Sequence, residues 1–290
     1  MRLSMTCRIC DLPCRELPYT ITPLSAAGAA FHCQHCGHLQ TALNVPLATV
    51  EAQYTVAPYC QAYSAECGDD ALDARAEAHA QTLLAECRKR GLPARHLRVC
   101  DVGTGQGWFL RALARRESHW SLFGVDICEE SRLRAEEFVG FGHVARSISD
   151  FAEPFDAVTC FDLLEHLVDP RSLLREVYTR LAPRGILLCV NPGWNVWDTV
   201  AVRSPRRLGL PLIRRRLSSA HVSVFSTTSI STLLQRTGFT LLAVRRFTDI
   251  GRSFGRGHGA LGSVFGAVTR FLALVGLAPR NRLLAIATKQ

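Results

Sequence analysis

Four of the twelve cysteines fall into two pairs, Cys7-x-x-Cys10 and Cys33-x-x-Cys36, with 22 residues between them. Thiolates at this spacing suit tetrahedral Zn²⁺, and Gly37 can supply the tight turn after the second pair. Residues 1–45 hold almost no core, so a bound metal would contribute folding free energy directly. Four thiolates leave no open coordination position, which makes the expected role structural rather than catalytic. Cys14, His32, His35 and His38 are spare ligands nearby.

The second chemical signal is Cys100-Asp101-Val102-Gly103-Thr104-Gly105-Gln106-Gly107. Glycines at alternate positions let a backbone turn sharply and approach a ligand without Cβ clashes. The spacing is GxGxG, with an acid two residues before the first glycine. It differs from the GxGxxG of dinucleotide sites, and no Gly-Lys-Ser/Thr follows as in a phosphate loop. About twenty residues on, Asp126 closes an apolar run, where an acid can accept from both hydroxyls of an adenosine ribose. A ligand-free turn and a helix cap are the plain alternatives for the loop and for Asp126.

These residues need a scaffold, and the pattern around them supplies one. Strands are expected at Leu97–Val102, Ser121–Ile127, Val144–Ile148, Asp156–Phe161, Gly185–Asn191, Thr240–Phe247 and Leu283–Thr288. Helices are expected at Gly105–Arg116, Glu129–Val139, Arg171–Leu181 and Thr228–Thr237. Alternating strands and helices imply an α/β fold with a largely parallel, doubly wound sheet and helices on both faces. The glycine loop then lies where the first of these strands turns into a helix, at the edge where such sheets bind ligands. An alanine-rich helix from Asp69 to Arg90 precedes it and stops at Gly91-Leu92-Pro93. The chain divides into a zinc ribbon (1–45), a helical linker or cap (46–96) and an α/β domain (97–290) with a basic insert at 193–222.

Composition narrows the class. Hydrophobic residues make up 48% of the 290-residue chain and charged residues 20%, an ordinary globular balance. The start lacks an apolar h-region, so a cytoplasmic location is expected, and thiols such as Cys100, Cys160 and Cys189 read as core residues of a reduced protein. The apolar stretch Ala260–Pro279 carries Arg270 and several glycines and prolines, which fits an amphipathic or core helix better than a membrane span. Peripheral membrane contact stays open. A net charge of +9 fits an anionic substrate, a nucleic acid or an anionic surface.

The loop, Asp126, Phe155-Asp156-Ala157-Val158 and the run Phe161-Asp162-Leu163-Leu164-Glu165-His166-Leu167-Val168-Asp169-Pro170 together resemble class I S-adenosylmethionine-dependent methyltransferases. More narrowly, they resemble the branch that reads LEHLxDP after the fourth strand, which includes sugar C-methyltransferases and often carries an N-terminal ribbon. The resemblance implies a seven-stranded sheet and a set of cofactor contacts. Gly103 and Gly105 would face the methionine part, with Asp101 ordering the loop and Thr104 and Gly107 among its cofactor-binding residues. Asp126 and Ile127 would lie at the ribose, and Asp150 and Phe151 beside the adenine. Phe161 and Asp162 would line the methionine end near the sulfonium.

Methyl transfer is an in-line displacement, so positioning dominates, and a base is needed only for a nucleophile that keeps its proton until late. His166 follows the fourth strand, with Glu165 to orient it or to cap a helix. His221 in His221-Val222-Ser223-Val224-Phe225-Ser226 is the second candidate, and Tyr54, Tyr59 and Tyr63 rank behind. Asn191-Pro192-Gly193-Trp194 superficially resembles an amine-methylation motif, but it ends the fifth strand rather than the fourth. Six arginines between Arg203 and Arg216 suit phosphates or carboxylates through their planar forks. The leading expectation is C- or O-methylation of a small anionic or phosphorylated metabolite, such as a nucleotide-linked sugar. The competing ones are an RNA-modifying methyltransferase and a non-enzymatic cofactor-binding protein.

Overall fold

The computed structural model describes residues 5–21, 28–43, 52, 54–55, 69–92, 96–204, 213, 216–217, 221–248, 271 and 280–290. Tyr59, Tyr63, Arg206, Arg207, Arg214 and Arg215 lie outside the described residues, as does the 260–279 stretch apart from Phe271.

A seven-stranded sheet forms the centre. Its strands are β5 (Arg98–Val102), β6 (Ser121–Val125), β7 (Val144–Ala145), β8 (Phe155–Phe161), β9 (Leu181–Pro192), β11 (Thr240–Phe247) and β12 (Arg282–Thr288), in the order β11-β12-β9-β8-β5-β6-β7. β5 pairs in parallel with β6 and β8, as do β6 with β7 and β8 with β9; β12 runs antiparallel to both β9 and β11. The order reverses at β5, so the crevice above its carboxyl end is open for a ligand. The class and the strand count match the expectation.

Strand residues alternate between two cores, as the two-residue period requires. Cys100, Val158, Cys160, Leu187, Cys189 and Leu283 face one side, with Leu174, Val177, Ile230 and Leu233 of helices α4 (Pro170–Arg180) and α6 (Thr227–Arg236). Val99, Ala157, Ile186, Leu188 and Leu284 face the other, under helices α1 (Asp69–Lys89) and α2 (Trp108–Ala114). The buried thiols act as small apolar side chains here. α1 lays Ala76, Ala80, Leu83 and Leu84 into this second core, and its acids pair with α2 as Asp73–Arg111 (2.5 Å) and Glu77–Arg116 (2.5 Å). Helix α3 (Glu129–Val139) follows β6.

The N-terminal strands β1 (Met5–Thr6), β2 (Pro13–Ile21), β3 (Gly28–His32) and β4 (Leu39–Leu43) form an antiparallel ribbon. The sequence pattern does not reveal its fifth strand. β10 (Ser223–Val224) comes from the end of the basic insert and pairs with β4 as Ser223↔Gln40 and Val224↔Leu39. One ribbon face shares an apolar cluster with helix α5 (Val196–Arg203), through Leu17, Ala30, Leu39, Ala201 and Val202. Among the described residues, no helix is long and apolar enough to cross a membrane.

Candidate functional site

The two cysteine knuckles close on each other. Cys7, Cys10, Cys33 and Cys36 are all buried, with their sulfurs within 4.8 Å of one another. The cross-knuckle contacts Cys7–Cys36 and Cys10–Cys33 are each 3.5 Å. Four sulfurs at about 2.3 Å from a zinc stand on a tetrahedron with edges of about 3.8 Å, so the cluster matches that geometry. Backbone amides of Ile9 and Cys36 point at Cys7 Sγ and Cys33 Sγ (3.4 and 3.5 Å), as thiolate ligands favour. Cys14 stays against the cluster, with its thiol beside Cys7 and Cys33, whereas the spare histidines are used elsewhere or exposed. His38 is buried against Phe225 and Ser223, His32 stacks on Trp194, and His35 is exposed. The ribbon is clamped to the sheet domain by Asp11, which binds Arg171 at 2.9 Å and also Arg236, and by Ser226 Oγ, which donates to the Cys36 carbonyl.

At the glycine loop the backbone turns with φ of +77° at Gly103, +54° at Gly105 and +80° at Gly107, a region that costs other residues free energy. The three glycines answer different demands. A Cβ on Gly103 would sit 2.9 Å from Leu163, and one on Gly107 2.9 Å from the backbone of Ala135 in α3. A Cβ on Gly105 would meet nothing within 4 Å, so this glycine borders open space. The amides of Gly103 and Thr104 hold the Val125 carbonyl at 2.8 and 3.0 Å, which lashes the loop to β6. Asp126 then accepts from the Gly105 amide (2.9 Å) and the Cys128 amide (2.8 Å), so one carboxylate joins the tips of β5 and β6. Beneath the loop, Asp101 is buried and accepts from Thr159 Oγ1 at 2.6 Å; burial pushes its carboxyl up to about 7.

Ile127 sits beside Asp126, and its carbonyl accepts from Arg132 at 3.1 Å. The expected strand at Val144–Ile148 is cut to Val144–Ala145, because Ser147 caps a 3₁₀ turn at Ile148–Asp150. Asp150 is therefore committed to the Ser147 amide (2.9 Å), and Phe151 packs edge-on against Phe123 and Phe155. Phe161 lies between His79 of α1, stacked at 4.2 Å, and Phe109 of α2 at 4.9 Å.

Asp162 follows β8 directly with φ +51°, a left-handed conformation rare outside glycine. Its carboxylate is shared by Arg75 of α1 at 3.4 Å and by Arg282 of β12. Burial alone would raise this carboxyl, but the two guanidiniums outweigh it and hold it at about 2. Two residues on, Leu164–His166 makes a single 3₁₀ turn, and Asp169 and Pro170 begin α4 as N-cap and first residue. Asp169 accepts from the Arg171 and Ser172 amides (3.1 and 3.2 Å), which gives the Asp-Pro pair a capping role.

That turn gathers the reacting-end candidates. The rings of His166 and His221 meet edge to face at 4.8 Å, and Glu165, His166 and His221 present ligand atoms within 4.8 Å of one another. Tyr54 OH stands 3.5 Å from His166 Nδ1. Glu165 is fully buried and accepts from Asn191 Nδ2 at 2.7 Å; burial, aided by the charge of Asp162, pushes its carboxyl up to about 8. Burial and the neighbouring His166 lower His221 to about 3, so its ring is neutral near pH 7.

The structure therefore brings together Glu165, His166 and His221, which lie up to 56 residues apart in the chain. It adds Arg75 and Arg282, which sequence reasoning passed over, and Asn191, which the sequence offered only in a discounted amine-methylation motif. Arg75 is one of several charged residues on α1, and Arg282 opens a strand, so neither carries a local signal. Only tertiary packing turns both toward Asp162.

Residues 72–244, more than half of the chain, match the Methyltransferase domain family Methyltransf_23, and the chain belongs to that family. A ubiquinone biosynthesis O-methyltransferase from Aeromonas salmonicida (strain A449) is 34% identical over 97 residues, which is 30% of this chain and 40% of that protein. The chain thus spans about two fifths of the length of that curated relative. The magnesium protoporphyrin IX methyltransferase of Synechocystis PCC 6803, solved with bound SAH, superposes with a TM-score of 0.54 at 16% identity, over 84% of this chain and 99% of that one. The plantazolicin methyltransferase BpumL, solved in complex with SAH, superposes at 0.54 and 15% identity, over 83% of this chain and 94% of that one. These two likenesses concern the fold.

Proposed function

We propose that this protein is an S-adenosylmethionine-dependent methyltransferase that methylates carbon or oxygen of a small anionic or phosphorylated metabolite. The observation that carries the reading is the junction of Gly105 and Asp126. A glycine bordering open space lies against a fixed carboxylate at the point where the sheet order reverses. Gly103 and Gly105 would face the methionine part, with Thr104 and Gly107 completing the loop; Asp126 would hold the ribose with Ile127 beside it, and Asp150 and Phe151 would lie on the adenine side. Phe161 and Asp162 would border the methionine end, and Asp101 holds the loop from below. When bound, the cofactor supplies an electrophilic methyl on a sulfonium.

The chain's own residues then have positional work. Glu165 and Asn191 fix the turn that carries His166, and neutral His221 can accept a hydrogen bond from an acceptor hydroxyl, although the burial that holds it near 3 makes it a weak base. The four ribbon cysteines suit one structural zinc, because a closed set of thiolates offers no site for chemistry. The test of the reading is calorimetry with S-adenosylmethionine, its demethylated product and NAD. Micromolar-scale binding of the first two and none of NAD supports it, and the reverse refutes it. Methyl transfer to a panel of phosphorylated sugars and lipids then identifies the acceptor. A steep fall of acceptor binding with salt would point instead to RNA, through release of many counterions.

A further inference from the structure

Beyond the cofactor crevice, the same edge of the sheet carries a second recess, on the β9, β11 and β12 side. Its volume is about 400 Å³, and Trp194, Asn195, Val196, Thr199, Arg246 and Arg280 line it. The chain path puts all six at one edge. Trp194 follows β9, Arg246 stands near the end of β11, and Arg280 precedes antiparallel β12.

The walls are set in place by bonds to the scaffold. Trp194 stacks on His32 of the ribbon at 4.8 Å, and its indole N–H donates to Thr199 Oγ1 at 2.9 Å. Asn195 caps α5 through the Trp197 and Asp198 amides, and Asp198 is neutralised by Arg216 at 2.9 Å. Arg246 donates to the carbonyls of Trp194 (2.5 Å) and Arg280 (3.4 Å), which fixes its plane without cancelling its charge. Among the described residues, no carboxylate lines the recess and neither Arg246 nor Arg280 has an ion-pair partner. Asp198, already paired with Arg216, also feels the Arg246 charge without forming an ion pair with it. Two guanidiniums over an aromatic wall make a site for a phosphate oxyanion.

The recess also lies within reach of the reacting end. Asn191, bonded to Glu165, is three residues before Trp194, and Arg282, bonded to Asp162, is two residues after Arg280. Extended backbone advances about 3.3 Å per residue, which puts the recess ~7–10 Å from those groups. We propose that this recess holds the phosphate or diphosphate group of the methyl acceptor, with the rest of the acceptor directed toward His166 and His221. The inference rests on the methyltransferase reading for its purpose but not for its existence, because the arginines would bind phosphate in either case.

The test is calorimetry on the full-length protein, titrated with inorganic pyrophosphate at low salt, with binding of the demethylated cofactor product measured on the same samples. Arg280→Gln should weaken pyrophosphate binding at least ~10-fold through loss of a charge-assisted contact. Arg245→Gln removes the same charge one residue from Arg246, on a side chain that pairs with Glu86 instead, and should change binding less than ~2-fold. Equal weakening by both variants would mean general attraction to a basic surface, and would overturn the site. Undiminished binding in Arg280→Gln would overturn it as well. Loss of cofactor-product binding in wild type, with the arginine effect intact, would refute the methyltransferase reading and leave the phosphate site standing.

Discussion

The amide of Val222 donates to the carbonyl of Glu165 at 2.9 Å, and the Val222 carbonyl accepts from the Thr41 amide at 3.1 Å. One residue thus ties the turn bearing Glu165 and His166 to the N-terminal ribbon. His221 precedes it, so its ring is held at 4.8 Å from His166 by a segment that the ribbon completes with β10. The ribbon is therefore part of the wall of the site.

Metal removal should consequently be felt at the reacting end. Elemental analysis is expected to find about one zinc per chain, and chelation or Cys33→Ser should loosen residues 5–43 first. The Val222 amide should then lose hydrogen-exchange protection while affinity for the demethylated cofactor product changes little. A ribbon that unfolds with Val222 still protected would break the link.

The glycine loop predicts two different failures. Gly103→Val forces a side chain onto Leu163, so stability and cofactor binding should fall together. Gly105→Val meets open space, so its folding cost should be limited to strain of roughly 1–3 kcal/mol at positive φ. Its cofactor binding should nevertheless be lost, because the branches would occupy the crevice. Thermal melts read beside calorimetry separate the two.

Glu165 and His221 impose opposite pH dependences on folding. Glu165 binds its proton more tightly folded, up to about 8, than unfolded near 4.5, so its contribution declines as pH rises from about 4.5 to 8. His221 binds its proton less tightly folded, near 3, than unfolded near 6.5, so stability is lost as pH falls from about 6.5 toward 3. Glu165→Gln keeps an acceptor for Asn191 and removes the titrating carboxyl. Denaturant midpoints of this variant should decline less than wild type between pH 5 and 8, by an amount on the order of a few kcal/mol in unfolding free energy. His221→Gln should flatten the acidic side instead.

The two histidines should separate in kinetics. His166→Ala and His221→Ala are expected to leave cofactor affinity nearly unchanged, since neither touches the Gly105–Asp126 junction. A lost general base costs turnover roughly 10²–10⁴-fold. His221 is already neutral above about pH 4, so its removal should lower the rate without moving a kinetic limb between pH 5 and 8. If that limb disappears in His221→Ala, the neutral assignment is wrong. Tyr54→Phe, which removes the hydroxyl near His166, should be milder than either alanine variant.

Local chemistry made much of this legible without a structure. Cysteine spacing, alternate glycines before a helix, and the switch between two-residue and helical periods are short-range signals, because they reflect backbone geometry within a few residues. They yielded the ribbon cysteines, the Gly103–Gly107 loop, Asp126 and a seven-stranded sheet. The Asp169-Pro170 pair was visible as a motif, and its capping role explains why those two residue types suit a helix start. What only the tertiary structure decided depends on pairing across long chain separations. β10 joins the ribbon because edge strand β4 needs partners for its backbone groups, and no local pattern in a two-residue strand announces that. Asp162 is locked by Arg75 and Arg282 because the three are brought to one sheet edge by different elements, 87 and 120 residues away from it along the chain. The charge of a side chain is written in the sequence; which buried carboxylate it must neutralise is settled only when desolvation makes an unpaired one too costly.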